Sequence, residues 1–402
     1  MIPRIGLVSH WDWVLDHFWL HVARGLREAG AEVVLICPPG RHVSGWQEMG
    51  FGYHPWTVKR RGLNPVQELN ALTALTRVYR EEELSAVHHF TVKPIVHGTI
   101  AAKLAGVPVA INTLSGLGYL FSGDTRAKCA RVVSHPLLRY VLVDSRSHLV
   151  LQNTADVSRL RTFGLLPESR TTLISGTGVD LERHRPRDAH DEPSRPLIVL
   201  MAARLLRSKG VEDFVRCAEA IDGEGIQARF VVAGVPDDGN PDTIRQAEIE
   251  NWKRTTPVEF IGHTDDLASV LQSTYVAVLP TRYPEGVPTF LLEAAATGVP
   301  AVATDLAGCR TAVHHGTTGF LYSPDSPEEL TGHVRRLLED RPLSLRLGTQ
   351  ARALAEREFD ESKIVAAYLD VYQSAGALPE RRVEDDETPG FAVRADESNR
   401  EI

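Results

Sequence analysis

Short, almost wholly apolar runs alternate along this chain with longer segments whose apolar positions recur at helical spacing. In the first half, Ile5–Ser9, Glu32–Cys37, Ala86–Phe90 and Val109–Thr113 read as strands. Helices are predicted over Val14–Ala29, after Asn64-Pro65 and over Ile95–Leu104, with Pro38-Pro39-Gly40 and Gly106-Val107-Pro108 as turns. The second half repeats the rhythm. Strands Leu197–Ala202, Ala228–Ala233, Val258–Ile261, Val276–Leu279 and Ala301–Ala303 are interleaved with helices over Val211–Ile221 and Glu285–Glu293. Amphipathic helices follow near Pro327–Glu339 and Glu361–Ser374. Alternating βα units of this kind imply parallel sheets covered by helices on both faces. The expected fold is α/β, with two facing Rossmann-like, doubly wound parallel-sheet domains. Their boundaries are set at 1–178 and 179–360, with Arg183–Pro196 as the connection. A helix over 361–377 is expected to pack back towards the N-terminal domain, ahead of a disordered acidic tail, 378–402.

Composition narrows the class without naming a function. The 402 residues are 43% hydrophobic and 24% charged, as in a soluble globular protein of two ordinary domains. No apolar run approaches the ~20 residues that span a bilayer, and the first residues turn polar too soon for a signal peptide. Cys37, Cys129, Cys217 and Cys309 are scattered with no Cys-x-x-Cys pair, which argues against zinc or disulfide scaffolds and for a reducing cytosol. The net charge of −8 hides a split: residues 1–170 carry 19 Lys+Arg against 13 Asp+Glu, and the remainder carries the acidic excess. A basic first half suits an anionic partner such as a membrane surface. No nucleic-acid partner is expected.

The most informative stretch runs from Tyr283 to Gly298. It places Glu285 in a Gly-Pro turn and Glu293 in the apolar, alanine-rich segment behind it. Pro288 suits a helix's first turn, and the turn before it presents free backbone N–H groups, a ready anion site for phosphate. Glu285 at the mouth can accept hydrogen bonds from a sugar, and Glu293 from a second polyol such as a ribose. A surface helix with two solvated glutamates is the bland alternative, but Phe290, Leu291, Leu292 and the alanines are too apolar for it. Arg204 and Lys209 lie in the loop after strand Leu197–Ala202, at the carboxyl end of a parallel strand, where doubly wound sheets bind ligands. Two fixed cations there can neutralise a diphosphate as it leaves. The chain has no Asp-x-Asp, no Gly-x-Gly-x-x-Gly and no phosphate-loop motif, and His88-His89 and His314-His315 are not spaced as metal ligands. Neither a cofactor nor a metal is expected.

Arg204 and Lys209 followed by Glu285-x7-Glu293 resemble the retaining GT-B glycosyltransferases of family 4, over nearly the whole chain to about residue 374. Several segments resemble, more narrowly, the bacterial enzymes that build glycan repeat units on polyprenyl diphosphate, N-acetylgalactosaminyltransferases of protein glycosylation among them. These are His89–Pro94, Asn112–Gly118, Gln152-Asn153, Ser175–Asp180, Asn240-Pro241 and Gly308–Arg310. The resemblance implies that Arg204 and Lys209 contact the donor diphosphate, Glu285 the donor sugar and Glu293 the ribose. It also implies that backbone at Gly262 and His263 flanks uracil, and that Gly286 and Val287 offer N–H groups to the β-phosphate. Arg204, Lys209 and Glu285 would be the catalytic set. Two departures stand out. Many members carry a histidine where this chain has Asn112-Thr113, and related sequences often have basic residues where it has Pro284 and Thr289.

The acceptor is expected on the basic lobe, at Lys93, Thr113, Ser115, Gly116 and Gly118. Arg60-Arg61 and the segment Arg126–Arg139 are candidates for anionic headgroups, with a solvated basic helix face as the equal alternative. His89 is read as an interior histidine. The expected activity is metal-independent transfer from a UDP-sugar to a polyprenyl-diphosphate-linked saccharide, by a cytoplasmic protein peripheral on the inner membrane face. The same fold acting on a soluble acceptor, a GT-B nucleotide-sugar 2-epimerase and a nucleotide-sugar-binding scaffold without turnover are the rivals.

Overall fold

The computed structural model describes residues 2–59, 64–118, 121, 125–143, 147–186 and 196–379. The predicted alternation becomes two parallel sheets. The first contains β1 (Arg4–Val8), β2 (Glu32–Cys37), β3 (Gly52–Pro55), β4 (Ala86–Phe90), β5 (Val109–Leu114), β6 (Ser147–Leu151) and β7 (Thr171–Leu173), in the order β3-β2-β1-β4-β5-β6-β7. The second contains β8 (Leu197–Ala202), β9 (Ala228–Ala233), β10 (Val258–Gly262), β11 (Thr274–Leu279), β12 (Ala301–Thr304) and β13 (Gly319–Tyr322), in the order β10-β9-β8-β11-β12-β13. Each order reverses once, between β1 and β4 and between β8 and β11. Such a reversal opens a crevice at the carboxyl ends of the strands, and the two crevices set the place of the site.

Helices cover both sheets. In the first half they are α1 (Asp12–Glu28), α2 (Val43–Glu48), α3 (Pro65–Glu81), α4 (Val92–Ala105), α5 (Thr125–Leu142) and α6 (Thr154–Thr162). The second half adds α7 (Val211–Gly223), α8 (Gln246–Thr255), α9 (Leu267–Gln272), α10 (Thr289–Ala296), α11 (Ala307–Ala312), α12 (Pro327–Glu339), α13 (Arg341–Leu354) and α14 (Glu361–Ser374). The helix expected over Glu285–Glu293 starts four residues later. Proline disfavours helical backbone in the residue before it, and Pro288 itself is extended (ψ 119°), so it caps α10 instead of opening it. Glu285 therefore lies in a loop, and Glu293 one turn inside the helix.

Although α14 follows the second sheet in sequence, it completes the first lobe's core. Trp19 of α1 stacks on Phe90 of β4 (centroids 4.1 Å apart) and meets Tyr368 of α14 edge-on at 5.4 Å. A buried network lies beside them: His88 binds the Tyr372 hydroxyl through Nδ1 and the Thr113 hydroxyl through Nε2, both at 2.7 Å. Burial holds His88 well below its ordinary pKa, so it is neutral and satisfied. The chain thus crosses between lobes twice, and the crossings are tied together. Val179 N–H donates to Phe359 O (2.8 Å), and Glu361 N–H donates to Val179 O (3.1 Å). The connection over Arg183–Pro196 is described only at its ends, and Arg60-Arg61 and the tail from 380 lie outside the described residues.

Candidate active site

The second lobe's crevice brings together the loop after β8 and the loop after β11. Gly210 makes the first possible. It adopts φ +76°, and a Cβ there would sit 1.9 Å from Pro280 O, so only glycine lets the start of α7 lie against the end of β11. The two loops are then laced together. Arg282 N–H donates to Ser208 O (2.7 Å), and the Arg282 guanidinium grips buried Asp213 through two bonds of 2.7 and 2.8 Å. Asp242 accepts from the Ser208 N–H at 3.1 Å.

This scaffold brings two of the predicted residues, Lys209 and Glu285, into contact. The Lys209 ammonium forms an ion pair with Glu285 at the mouth of the α10 N-terminus. Arg204 pairs with Asp237 at 2.6 Å, and Asn240 donates to the same carboxylate oxygen at 2.9 Å. Asp237 carries no sequence signal of its own; the nearby Asn240-Pro241 segment is the one mark beside it. The other Glu285 oxygen, Oε1, is buried and has no hydrogen-bond partner. Glu293 is 9% exposed, with His184 Nε2 4.0 Å from its carboxylate. Burial pushes its pKa up to about 7, against the opposing pull of the Arg183 positive charge. At the edge of the crevice Gly262 O accepts from Gly234 N–H (2.7 Å), and exposed His263 pairs with Asp265 at 3.1 Å. Among the described residues, no group of three or more His, Cys, Asp or Glu is placed to hold a metal ion.

The first lobe closes directly onto this crevice. A Cβ on Gly116 would lie 2.5 Å from Gly286 N, one on Gly286 2.8 Å from Ser115 C, and one on Gly308 1.9 Å from Gly286 O. Three backbone segments are therefore in contact through glycines alone. From β6's end, Gln152 reaches across and accepts the Val287 N–H at 3.3 Å, so that N–H, expected at the β-phosphate, is already taken. Ser115, Gly116 and Gly118 border the cleft, and Gly118 faces the Tyr283 hydroxyl. One acceptor-side expectation is corrected and a second residue is found paired. Thr113 is fully buried and bonded to His88, because helices cover both faces of β5. Lys93 is committed to the Glu68 carboxylate (2.6 Å) and the Lys59 carbonyl (2.8 Å), a structural tie at the foot of α4. His89 is an interior group, bonded to Asn112 (2.7 Å) and Tyr79 (3.0 Å) and fully buried. His10, two residues beyond β1, lies 3.0 Å from the hydroxyl of Thr91. Thr91 holds the left-handed φ of 72°, a strained conformation for threonine.

Family models agree with this geometry. Residues 182–354 match the glycosyl transferases group 1 model and residues 4–154 match the glycosyl transferase 4-like model, taking in most of both lobes. The chain belongs to the GT-B glycosyltransferases. A similar glycosyltransferase from Campylobacter jejuni is N,N'-diacetylbacillosaminyl-diphospho-undecaprenol alpha-1,3-N-acetylgalactosaminyltransferase. It is 29% identical over 381 residues, 92% of this chain and 98% of that one. An Escherichia coli UDP-Gal:alpha-D-GlcNAc-diphosphoundecaprenol alpha-1,3-galactosyltransferase is 23% identical over 322 residues, 78% of this chain and 81% of that protein. Among solved structures, Anabaena HepE in complex with UDP and glucose superposes with a TM-score of 0.76 at 18% identity, covering 93% of this chain and all of that one. At that identity the likeness is one of fold.

Proposed function

We propose that this glycosyltransferase moves a sugar, an N-acetylhexosamine, from a UDP-sugar to a polyprenyl-diphosphate-linked saccharide, with retention of configuration and without a metal. The observation that carries the reading is the Lys209–Glu285 pair at the α10 N-terminus, supported by Arg204 in the same loop as Lys209 and by Glu293 buried in α10 itself. A nucleoside diphosphate sugar fits that order: ribose at Glu293, diphosphate at the helix end and the two cations, sugar at Glu285. On this reading the backbone at Gly262 and His263 flanks the uracil. As the glycosidic bond breaks, negative charge builds on the β-phosphate. Arg204, Lys209 and the Gly286 N–H are fixed donors for that charge, the role a divalent ion plays elsewhere. The departing phosphate can take the acceptor hydroxyl's proton on the same face, so the reaction needs no side-chain base. Ser115, Gly116 and Gly118 border the acceptor side.

The relatives' undecaprenol-linked acceptors support the lipid part of the reading. So does α5, which turns Val132, Val133, Leu137 and Tyr140 to solvent, with Val133 82% exposed. Lys103 lies over the Tyr140 ring at 3.6 Å, and Arg131 and Arg139 flank the stripe. An apolar stripe edged with cations suits an anionic membrane surface. Among the described residues no helix is long and apolar enough to cross a membrane. The test is transfer from a panel of labelled UDP-sugars, with EDTA present, into the organic-extractable lipid of bacterial membranes. Label in lipid from one donor, α-linked by NMR of the product, is the expected result. UDP release without lipid label would overturn the acceptor, and activity lost to EDTA would overturn metal independence.

A further inference from the structure

Two buried polar atoms are left without partners around the turn 285–288: Glu285 Oε1 and the side-chain nitrogen of Gln152, Nε2. Gln152 is 1% exposed, and its other amide atom holds the Val287 N–H from the opposite lobe. An amide NH2 group buried with nothing to donate to is costly, and natural interiors rarely keep one unless an ordered water or a ligand completes it. Its place is fixed on both sides. Asn153, the next residue, caps α6 through Asp156 N–H (2.8 Å), and Gly286 leaves no room beyond the Gln152 oxygen.

We infer that Gln152 is a positioning residue that couples lobe closure to the donor. Its oxygen sets the phosphate-binding turn by holding Val287, and its free NH2 donates to an anionic oxygen of the donor diphosphate. This inference rests on the nucleotide-sugar reading above. It goes beyond that reading by giving the first lobe a direct contact with the donor. The same contact explains how closure is sensed: with the lobes apart, neither the Val287 bond nor the diphosphate bond can form.

The experiment is calorimetric titration of the full chain with UDP and, separately, with uridine, for the wild type, Gln152→Ala and Gln152→Glu. Thermal melting of each variant reports folding. Glutamate can still accept the Val287 N–H, but it cannot donate when ionised and it repels phosphate. UDP affinity is expected to fall about tenfold to a hundredfold in Gln152→Ala, the range for a lost charge-assisted hydrogen bond. It should fall further in Gln152→Glu, with the extra loss shrinking as the pH is lowered and that carboxyl protonates. Uridine affinity should be equal in all three. Wild-type UDP binding by Gln152→Glu, or a parallel fall for UDP and uridine, would overturn the inference and leave Gln152 a structural latch. A wild type that binds uridine as tightly as UDP would instead overturn the diphosphate site itself, and this inference with it.

Discussion

Glu293 carries a cost in stability that a single substitution removes. The folded chain holds the Glu293 proton up to about pH 7, whereas the unfolded chain releases it near the ordinary value of 4.5. Between those values the native state binds more protons than the unfolded state, so this residue makes stability fall as pH rises through the window. A rise from 4.5 to about 7 puts the full cost at about 3 kcal/mol, reached above pH 8. At pH 5.5 only about 1.4 kcal/mol of it is felt. Glu293→Gln, which keeps the shape and loses the charge, should therefore gain on the wild type by about 2 kcal/mol between pH 5.5 and pH 8.5. Denaturant melts of both proteins at the two pH values read this directly. The same substitution should weaken UDP binding, since the amide offers a ribose one acceptor oxygen in place of two. In the wild type, UDP binding near pH 7 should release about half a proton, measured in buffers of different ionisation heat. A stability difference that does not change with pH would refute the argument, because it would mean that the buried carboxyl is not ionising in this range.

Lys209→Ala and Glu285→Gln should each lower the transfer rate about 100- to 1,000-fold, the usual loss of one fixed charge or donor at a reacting centre, with the chain still folded at the assay temperature. Full turnover by either variant would remove the pair from the site. Replacing Val132 and Val133 together by aspartate should reduce co-sedimentation with anionic vesicles about tenfold or more and leave UDP binding intact; equal sedimentation would take α5 out of the membrane reading. Tyr372→Phe should destabilise the first lobe by about 1–3 kcal/mol, because His88 Nδ1 loses its partner inside the core. Denaturation monitored by tryptophan fluorescence would show it, since Trp19 packs beside the network.

The parallel sheets were readable because their strands are apolar on both faces, but the strand order within each sheet is not encoded in the rhythm of elements. Short strands flanked by polar or glycine turns were not readable. β7 and β13 have too few residues to show a period, and β13 emerges from His-His-Gly-Thr-Thr. At the site, Arg204, Lys209, Glu285 and Glu293 stood out because charge on an apolar background needs a reason. Asp237 and Gln152 did not. Their roles depend on contacts with residues 33 and 135 positions away, which no local pattern encodes. Thr113 misled for the opposite reason: the end of a strand looks like a cleft edge in sequence, yet this one is roofed by α14.

The placement of α14 bears on how the molecule is made. The first lobe is synthesised first but finished last: Tyr368 and Tyr372, which close its core against Trp19 and His88, leave the ribosome only after the whole second lobe. Until then the nascent chain carries an open hydrophobic floor and a buried histidine without its partner, the state in which a large chain is most open to misassembly. A truncation at the apparent domain boundary would freeze the protein there. An isolated first lobe would accordingly need residues 361–378 supplied, as a fused segment or as a peptide, before it could fold.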